Sequence, residues 1–494
     1  MTSYLYELPT TGSLSYTDYC IDNTGSYAND ISDATQARAN LRAALKESKH
    51  SEGEKDFLSL VKVVDNYLPY LYAIKACFDS EEINLSSVPV FSWRSTLSSH
   101  MIQSSPRLSV ESLHGDLSFT LLTYAFVLSN LARTVVHSLG SYETERTISD
   151  NERKVKDEKL NFAVSLLCRA SGIFKFISDQ VLPEWDRAKV DIPSTSPIHR
   201  PIDVTQDMVN ALAKMSLADA QTLAIRKLLS KSAYDSTLSP GPPLPKSHPS
   251  PALLAKLYLE CHALYSSAYA LVSTVGKKGL KSGFNIGVAK LGKEKTGNTD
   301  NNATDEVSST LRNYLSDATH FSIALAHKWL GVDAGENGTP SKAGVAVGFL
   351  QWACTELESL RPSARTVSLD RDKRGRVRAS KDTINSELQS ATTFLKQYKK
   401  MNDTLHFQPI PTRGELQTQV PEGRSAVSQK PFSRIIPKFG PGSNGWKERR
   451  EIGDEKGIDS PPTDSEGASS IPSPRTRGTS TSQTPSYAGE GSYF

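Results

Sequence analysis

Apolar residues in this chain recur at three-and-four spacing over long, separate stretches, and strand-like alternation is scarce. A chain patterned in this way buries its hydrophobic surface by laying helix against helix. The periodic stretches run over residues 30–48, 54–78, 111–139, 150–182, 203–231, 250–275, 304–330, 341–360 and 380–401. Capping residues open them, and turn residues separate them, as in Pro193-Ser-Thr-Ser-Pro197 and Pro240-Gly-Pro-Pro-Leu-Pro245. The pattern predicts an all-α fold: an extended array of long helical hairpins with a helical-repeat-like core.

Two stretches are expected at the centre. The uncharged run 117–132 mixes Leu and Phe with Ala and Ser, so neighbouring helices can approach closely. It falls short of the roughly 20 residues a bilayer needs. The segment from Leu160 to Trp185 puts Phe162, Leu166, Leu167, Ala170, Phe174 and Ile177 on one face and is expected to stop at Pro183. With 494 residues the chain has room for two domains or for one extended assembly with a tail. After Met401 the helical signals fade into an extended arm, from about residue 403, that still carries Leu416, Phe432, Ile435, Ile436 and Phe439. Residues 441–494 are rich in Ser, Gly, Pro and Thr and hold few apolar side chains, so they are predicted to be a disordered tail after a helical domain of residues 1–440.

The helical pair at 203–271 carries more apolar surface than one core requires. Its second helix has a core stripe of Leu254, Tyr258, Cys261, Tyr265, Ala268 and Val272. Leu253, Leu257 and Leu264 widen the apolar arc on one shoulder only. Its first helix, with Met208, Val209, Leu212, Met215, Leu223, Ile225, Leu228 and Leu229, is apolar nearly all round and is expected to lie between neighbours. The shoulder has two readings: a third helix of the same chain packs there, or it forms a groove for a partner helix.

Chemical motifs are sparse. The five cysteines are far apart and lack any C-x-x-C pair, which suits a reducing compartment and not a disulfide framework or zinc site. The first 20 residues carry no basic leader or apolar core, so no secretory signal is read there. Leu8-Pro-Thr-Thr-Gly12 matches a cell-wall sorting signal in letters but opens the chain, so the match is read as chance. Gly287 to Lys293 has the spacing of a phosphate-cradling loop, yet Glu294 stands where a magnesium-holding hydroxyl is needed. A nucleotide hydrolase built on that loop is the enzymatic alternative. His320 and His327 share a helix face without a third ligand, and Glu356 and Glu358 read as solvated. No cofactor, metal or small-molecule substrate is expected, and no catalytic residues emerge.

The net charge of +3 does not suggest nucleic acid. Two local basic loops stand out: Lys277, Lys278 and Lys281 with Lys290, Lys293 and Lys295, and the run 371–378 with Arg374 and Arg376. Each basic side chain near an anionic leaflet contributes about 1 kcal/mol, so a membrane-associating scaffold is the second alternative.

Several segments together resemble the Bro domain, the helical module shared by ALIX and the fungal pH-signalling proteins PalA and PalC. They are Phe91-Ser-Trp93, Ala170-Ser-Gly-Ile-Phe174 with Val181-Leu-Pro-Glu184, Met215-Ser-Leu-Ala-Asp-Ala-Gln221, Leu253-Leu-Ala-Lys-Leu257, and the 403–411 arm. The opening Leu-Pro-Thr-Thr-Gly and the Ala343-Gly-Val-Ala-Val-Gly-Phe-Leu-Gln-Trp-Ala353 helix look most like the PalC branch. The resemblance implies a curved all-α domain that binds the C-terminal amphipathic helix of an ESCRT-III subunit. In the family that groove uses apolar residues where this chain has Leu253 and Leu257, flanked here by Leu264, plus an aromatic where this chain reads Ala224, with Ile225 beside it. The implied role is a non-enzymatic adaptor in the cytoplasm, recruited to endosomal or plasma-membrane signalling sites. There it would support alkaline-pH signalling, with other pathway components, that ends in proteolytic processing of a transcription factor. No second coiled-coil module of the ALIX and PalA kind follows, so the tyrosine-containing peptides bound by that module are not expected as partners.

Overall fold

The long helices pack in chain order, each against the next long one. In the computed structural model, residues 3–23, 25–50, 55–99, 106–190, 200–282, 306–361 and 371–446 are described. The helices are α1 (Ala28–His50), α2 (Phe57–Asp79), α3 (Leu113–Leu139), α4 (Asp150–Phe176), α5 (Leu182–Val190), α6 (Gln206–Leu238), α7 (Pro251–Ser282), α8 (Ser309–Glu336), α9 (Ala343–Ser359), α10 (Arg371–Met401) and the short α11 (Arg413–Gln417). Contacts run from α1 to α2, α3 and α4, then from α4 to α6, α7, α8, α9 and α10. Short antiparallel pairs join β1 (Cys20–Ile21) to β2 (Asn84–Leu85), β3 (Phe91–Arg94) to β5 (Arg107–Val110), and β4 (Ser98–Ser99) to β6 (Glu306–Val307). The compact unit runs from Met1 to Lys447, and the expected tail beyond residue 446 lies outside the described residues.

Local chemistry explains where helices begin. Asp56 caps α2 by accepting the Ser59 N–H, and Thr205 caps α6 by accepting that of Met208. Ser149 and Glu152 form a reciprocal capping box on α4. The α7 core stripe is buried at every expected position, and α6 lies between α4 and α7, as an apolar helix must. The five cysteines are free thiols, all but Cys20 buried.

Some expectations need correction. Pro183 does not end the helix that carries it. A π-helical turn at Ile177–Val181 leads straight into α5, and its wider ladder gives the pyrrolidine ring room against the preceding turn. Phe162 is 48% exposed, because it lies about 120° from the centre of the face set by Leu160, Ala163, Leu167, Ala170 and Phe174. The basic run at 371–378 is not a loop but the start of α10, and Lys277, Lys278 and Lys281 belong to the last turns of α7. Arg and Lys have high helix propensity, so charge clustering alone did not mark a loop.

The first three helices meet on a buried carboxylate. Asp116 of α3 accepts from Arg38 of α1 at 3.0 Å, Trp93 of β3 at 2.7 Å and Tyr67 of α2 at 2.8 Å, and Tyr16 bonds Tyr67 at 2.7 Å. Both members of the Arg38–Asp116 pair are fully buried. Arg38 also donates to Thr11, which gives the Leu8–Gly12 pentapeptide a structural role that chance did not predict. Its backbone lies along β3, with Gly12 N–H on Ser92 O and Arg94 N–H on Thr10 O. An added Cβ on Gly12 would stand 3.0 Å from the Ser92 Cβ, so the close approach favours glycine.

Removing one partner of a buried ion pair leaves an uncompensated charge. Arg38→Ala should lower unfolding free energy by about 3–5 kcal/mol in urea titration. A loss under about 1 kcal/mol would show that Asp116 is adequately held by its Trp and Tyr donors alone.

Candidate functional site

The furrow between α6 and α7 is built from two buried polar residues of α6 that demand partners. Asp219 accepts from Tyr265 of α7 at 2.6 Å and from Tyr314 of α8 at 2.5 Å. Burial pushes its carboxyl up to about 6, against the lowering effect of those hydrogen bonds. Gln221, on the other side of the helix, reaches the extended arm. Its Oε1 accepts the Ala426 and Val427 N–H groups at 2.7 and 3.1 Å, and its Nε2 donates to Val427 O at 2.9 Å. The side chain thus acts as a short strand partner for the arm.

The arm then defines how much of the furrow is open. Arg424 N–H donates to Lys256 O at 3.0 Å, and Ser425 Oγ donates to Glu260 at 3.2 Å, so the arm crosses α7 at the Lys256–Glu260 turn. A Cβ on Gly423 would stand 2.8 Å from the Glu260 nitrogen, and only glycine permits this approach without a shift. Further on, Lys430 N–H bonds Cys168 O at 3.0 Å against Gly172 of α4, and Lys438 N–H bonds Pro69 O of α2 at 3.0 Å. The apolar residues of the arm do pack as expected at Leu416 and Phe439, which are buried, while Ile436 faces solvent.

The expected groove residues fall into three groups. Leu253 and Ala224 are half-buried and remain on the open stretch, with Leu228 of α6 beside them on the stripe of Gln221. Leu257 is only 3% exposed and Ile225 is fully buried, which corrects the expectation of two leucines facing water side by side. Leu257 lies within the Lys256–Glu260 turn that the arm crosses, and Ile225 belongs to the core cluster. Leu264 is half-buried but lies beyond the arm crossing, on the same stripe as Glu260. The open apolar surface is therefore smaller than the leucine pattern implied, since Leu257 is buried and Leu253 half-buried. Lys227, Lys231 and Lys256 fringe it. Sequence reasoning missed the arm as its end wall; the legible signals were Gln221 on an apolar helix and Gly423 in the arm.

Other expected positions are resolved differently. The side chains of Lys277, Lys278, Lys281, Arg374 and Arg376 lie outside the described residues, as does the Gly287–Lys293 loop. His320 is exposed and bonds Ser316 O. His327 is buried, stacks on Trp352 at 3.9 Å and pairs with Glu356 at 2.8 Å, so Glu356 is not a solvated carboxylate. Among the described residues no three His, Cys, Asp or Glu side chains converge on a metal site.

The chain is similar to known proteins in sequence and in fold. A family model described as the BRO1-like domain matches residues 16–448. The pH-response regulator protein palC of Cryptococcus neoformans is 35% identical over 517 aligned positions, covering all of both chains. The protein of the same description from Yarrowia lipolytica is 24% identical over 469 positions, 87% of this chain and 94% of its own. The solved ALIX BRO1 CHMP4C complex matches in fold with a TM-score of 0.54 at 18% identity, covering 89% of this chain and 98% of that one.

The Asp219 junction makes a pH-dependent prediction. Its folded value of about 6 exceeds the ordinary 3.8 of an aspartate, so between those values the native state binds more protons than the unfolded chain. This carboxyl therefore weakens the fold above about pH 6, and the weakening is relieved as pH falls toward 4. Asp219→Asn should be most favourable relative to wild type at pH 7, with the advantage shrinking by pH 5 in urea titrations. A difference constant with pH would contradict the assignment.

Proposed function

The chain belongs to the BRO1-like domain family and, within it, to the palC-type pH-response regulators, and from that premise we propose a non-enzymatic adaptor that holds an ESCRT-III subunit at sites of alkaline-pH signalling. The single observation that carries the partner assignment is the half-buried apolar set of Leu253, Ala224 and Leu228 beside the buried Leu257, next to the turn where the arm crosses α7. An amphipathic helix lays an apolar stripe into such a groove while its polar face stays wet. The lysines beside the furrow favour an acidic polar face on that helix. The ALIX domain solved in the CHMP4C complex shares the fold, which supports the same class of partner here.

In this role the protein brings a membrane-remodelling subunit and the pH-signalling components together, in the cytoplasm at an endosomal or plasma-membrane site. Processing of the transcription factor is then performed by another component. The resemblance implies an aromatic where this chain has Ala224, so the apolar contact offered here is smaller than an aromatic would give.

Substitution separates the half-buried leucine from the buried one. Leu253→Asp should weaken binding of an ESCRT-III C-terminal peptide about thirtyfold with little change in melting temperature, since the residue is half-exposed. Leu257→Asp should instead lower the melting temperature sharply, because it buries a charge. Ala224→Phe should tighten the peptide by about tenfold by restoring aromatic area. Calorimetric titration beside thermal melting reads all three, and an unaltered affinity in Leu253→Asp would remove the furrow as the binding site.

A further inference from the structure

The end of α10 carries an apolar tip that the adaptor reading does not use. Beyond Met401 the helix widens into a π turn, Asn402–His406, and stops at Phe407 in the left-handed conformation, with φ of 51°. That conformation is usually left to glycine or asparagine. Asn402, itself buried, holds the turn closed. Its carbonyl takes the Phe407 N–H at 2.7 Å, its Oδ1 takes the Gln408 N–H at 3.0 Å, and its Nδ2 donates to Gln408 O at 2.9 Å. The clamp therefore enforces the exposure of the tip. Phe407 is 74% and Leu405 67% exposed, with Met401 and Ile410 also in solvent.

Such exposure on two large side chains leaves no flanking wall, so the feature is a projection and not a groove. A protein partner would have to bring a matching socket, whereas the interfacial zone of a bilayer receives a projecting Phe and Leu without shape complementarity. The charges nearby point the same way. Lys396, Lys399 and Lys400 are exposed on the last turns of α10, and Asp403 is the single carboxylate between residues 394 and 410. We propose that this tip is a membrane-insertion wedge, in which Leu405 and Phe407 enter the headgroup and acyl boundary of an anionic bilayer while the three lysines engage its surface.

The assignment differs from membrane contact through Arg374 and Arg376. Those positions are at the opposite end of α10, about 45 Å away along the helix. The direction of α10 is set by its neighbours: it runs parallel to α8, through Lys328–Glu387 and Tyr398–Glu336, and antiparallel to α9, through Cys354–Thr392 and, just past the end of α9, Arg361–Asn385. Lys277 to Lys281 end α7, which is antiparallel to α8 through His262–Thr319 and Tyr265–Tyr314 ring contact, so they too sit at that far end. The tip and the two basic clusters therefore lie at opposite ends of α10 and its neighbours.

The full chain should co-sediment with vesicles of phosphatidylcholine and phosphatidylserine at low salt, and more weakly with phosphatidylcholine alone. Phe407→Gly relieves the left-handed backbone, so its melting temperature should be kept or raised while vesicle partitioning falls about tenfold. The double variant Leu405→Asp, Phe407→Asp should abolish partitioning, and replacing Lys399 and Lys400 by Glu should remove the preference for the anionic vesicles. Absence of vesicle binding by the wild type, or undiminished binding by the folded double variant, would overturn the wedge. The outcome is independent of peptide binding at the furrow, which is measured separately.

Discussion

Two polar side chains inside an apolar helix set the geometry around them. Asp219 and Gln221 lie on one turn of α6 and are both buried. A buried polar group left without a hydrogen-bond partner costs about 1–3 kcal/mol, more than the roughly 1 kcal/mol that the bond itself contributes, so each must find one. Asp219 is met by tyrosines of α7 and α8, which fixes the next two helices of the stack, and Gln221 is met by the backbone of the arm, more than 200 residues on in the chain. The register of the stack and the path of the arm thus follow from satisfying one helical turn.

The candidate site is a product of that accounting. Where the arm crosses α7 it closes the furrow at Glu260, and where it is absent Leu253, Ala224 and Leu228 stay accessible beside the buried Leu257. The same arm that ties α9, α7, α6, α4 and α2 together therefore sets the length of helix that the furrow can accept. Asp116 has a corresponding role at the other end of the stack, where it gathers α1, α2, α3 and β3 and draws the opening Leu8–Gly12 segment onto the sheet.

Much of this was legible in the residues. The three-and-four periodicity located every long helix, the α7 stripe from Leu254 to Val272 is buried as its spacing requires, and the all-round apolar α6 lies between two neighbours. Errors came where pattern and packing part. Phe162 is apolar and near the core face in sequence, yet the angle that decides burial places it outside. Pro183 reads as a stop unless a π turn precedes it, and a π turn has no sequence periodicity of its own. Leu253 and Leu257 are four apart on one shoulder and look equivalent, but in the folded chain Leu257 is buried and Leu253 only half-buried.

The amino-acid sequence by itself determined that the chain is a series of helical hairpins, which faces are apolar, and which family it resembles, because helix periodicity and capping are local properties of consecutive residues. Only the tertiary structure decided which apolar side chains remain open, where the arm lies, and that Leu405 and Phe407 project from the end of α10. Exposure depends on what the rest of the chain places opposite a residue, and contacts such as that between Gln221 and Val427 join polar groups too far apart in the chain for a local pattern to pair them.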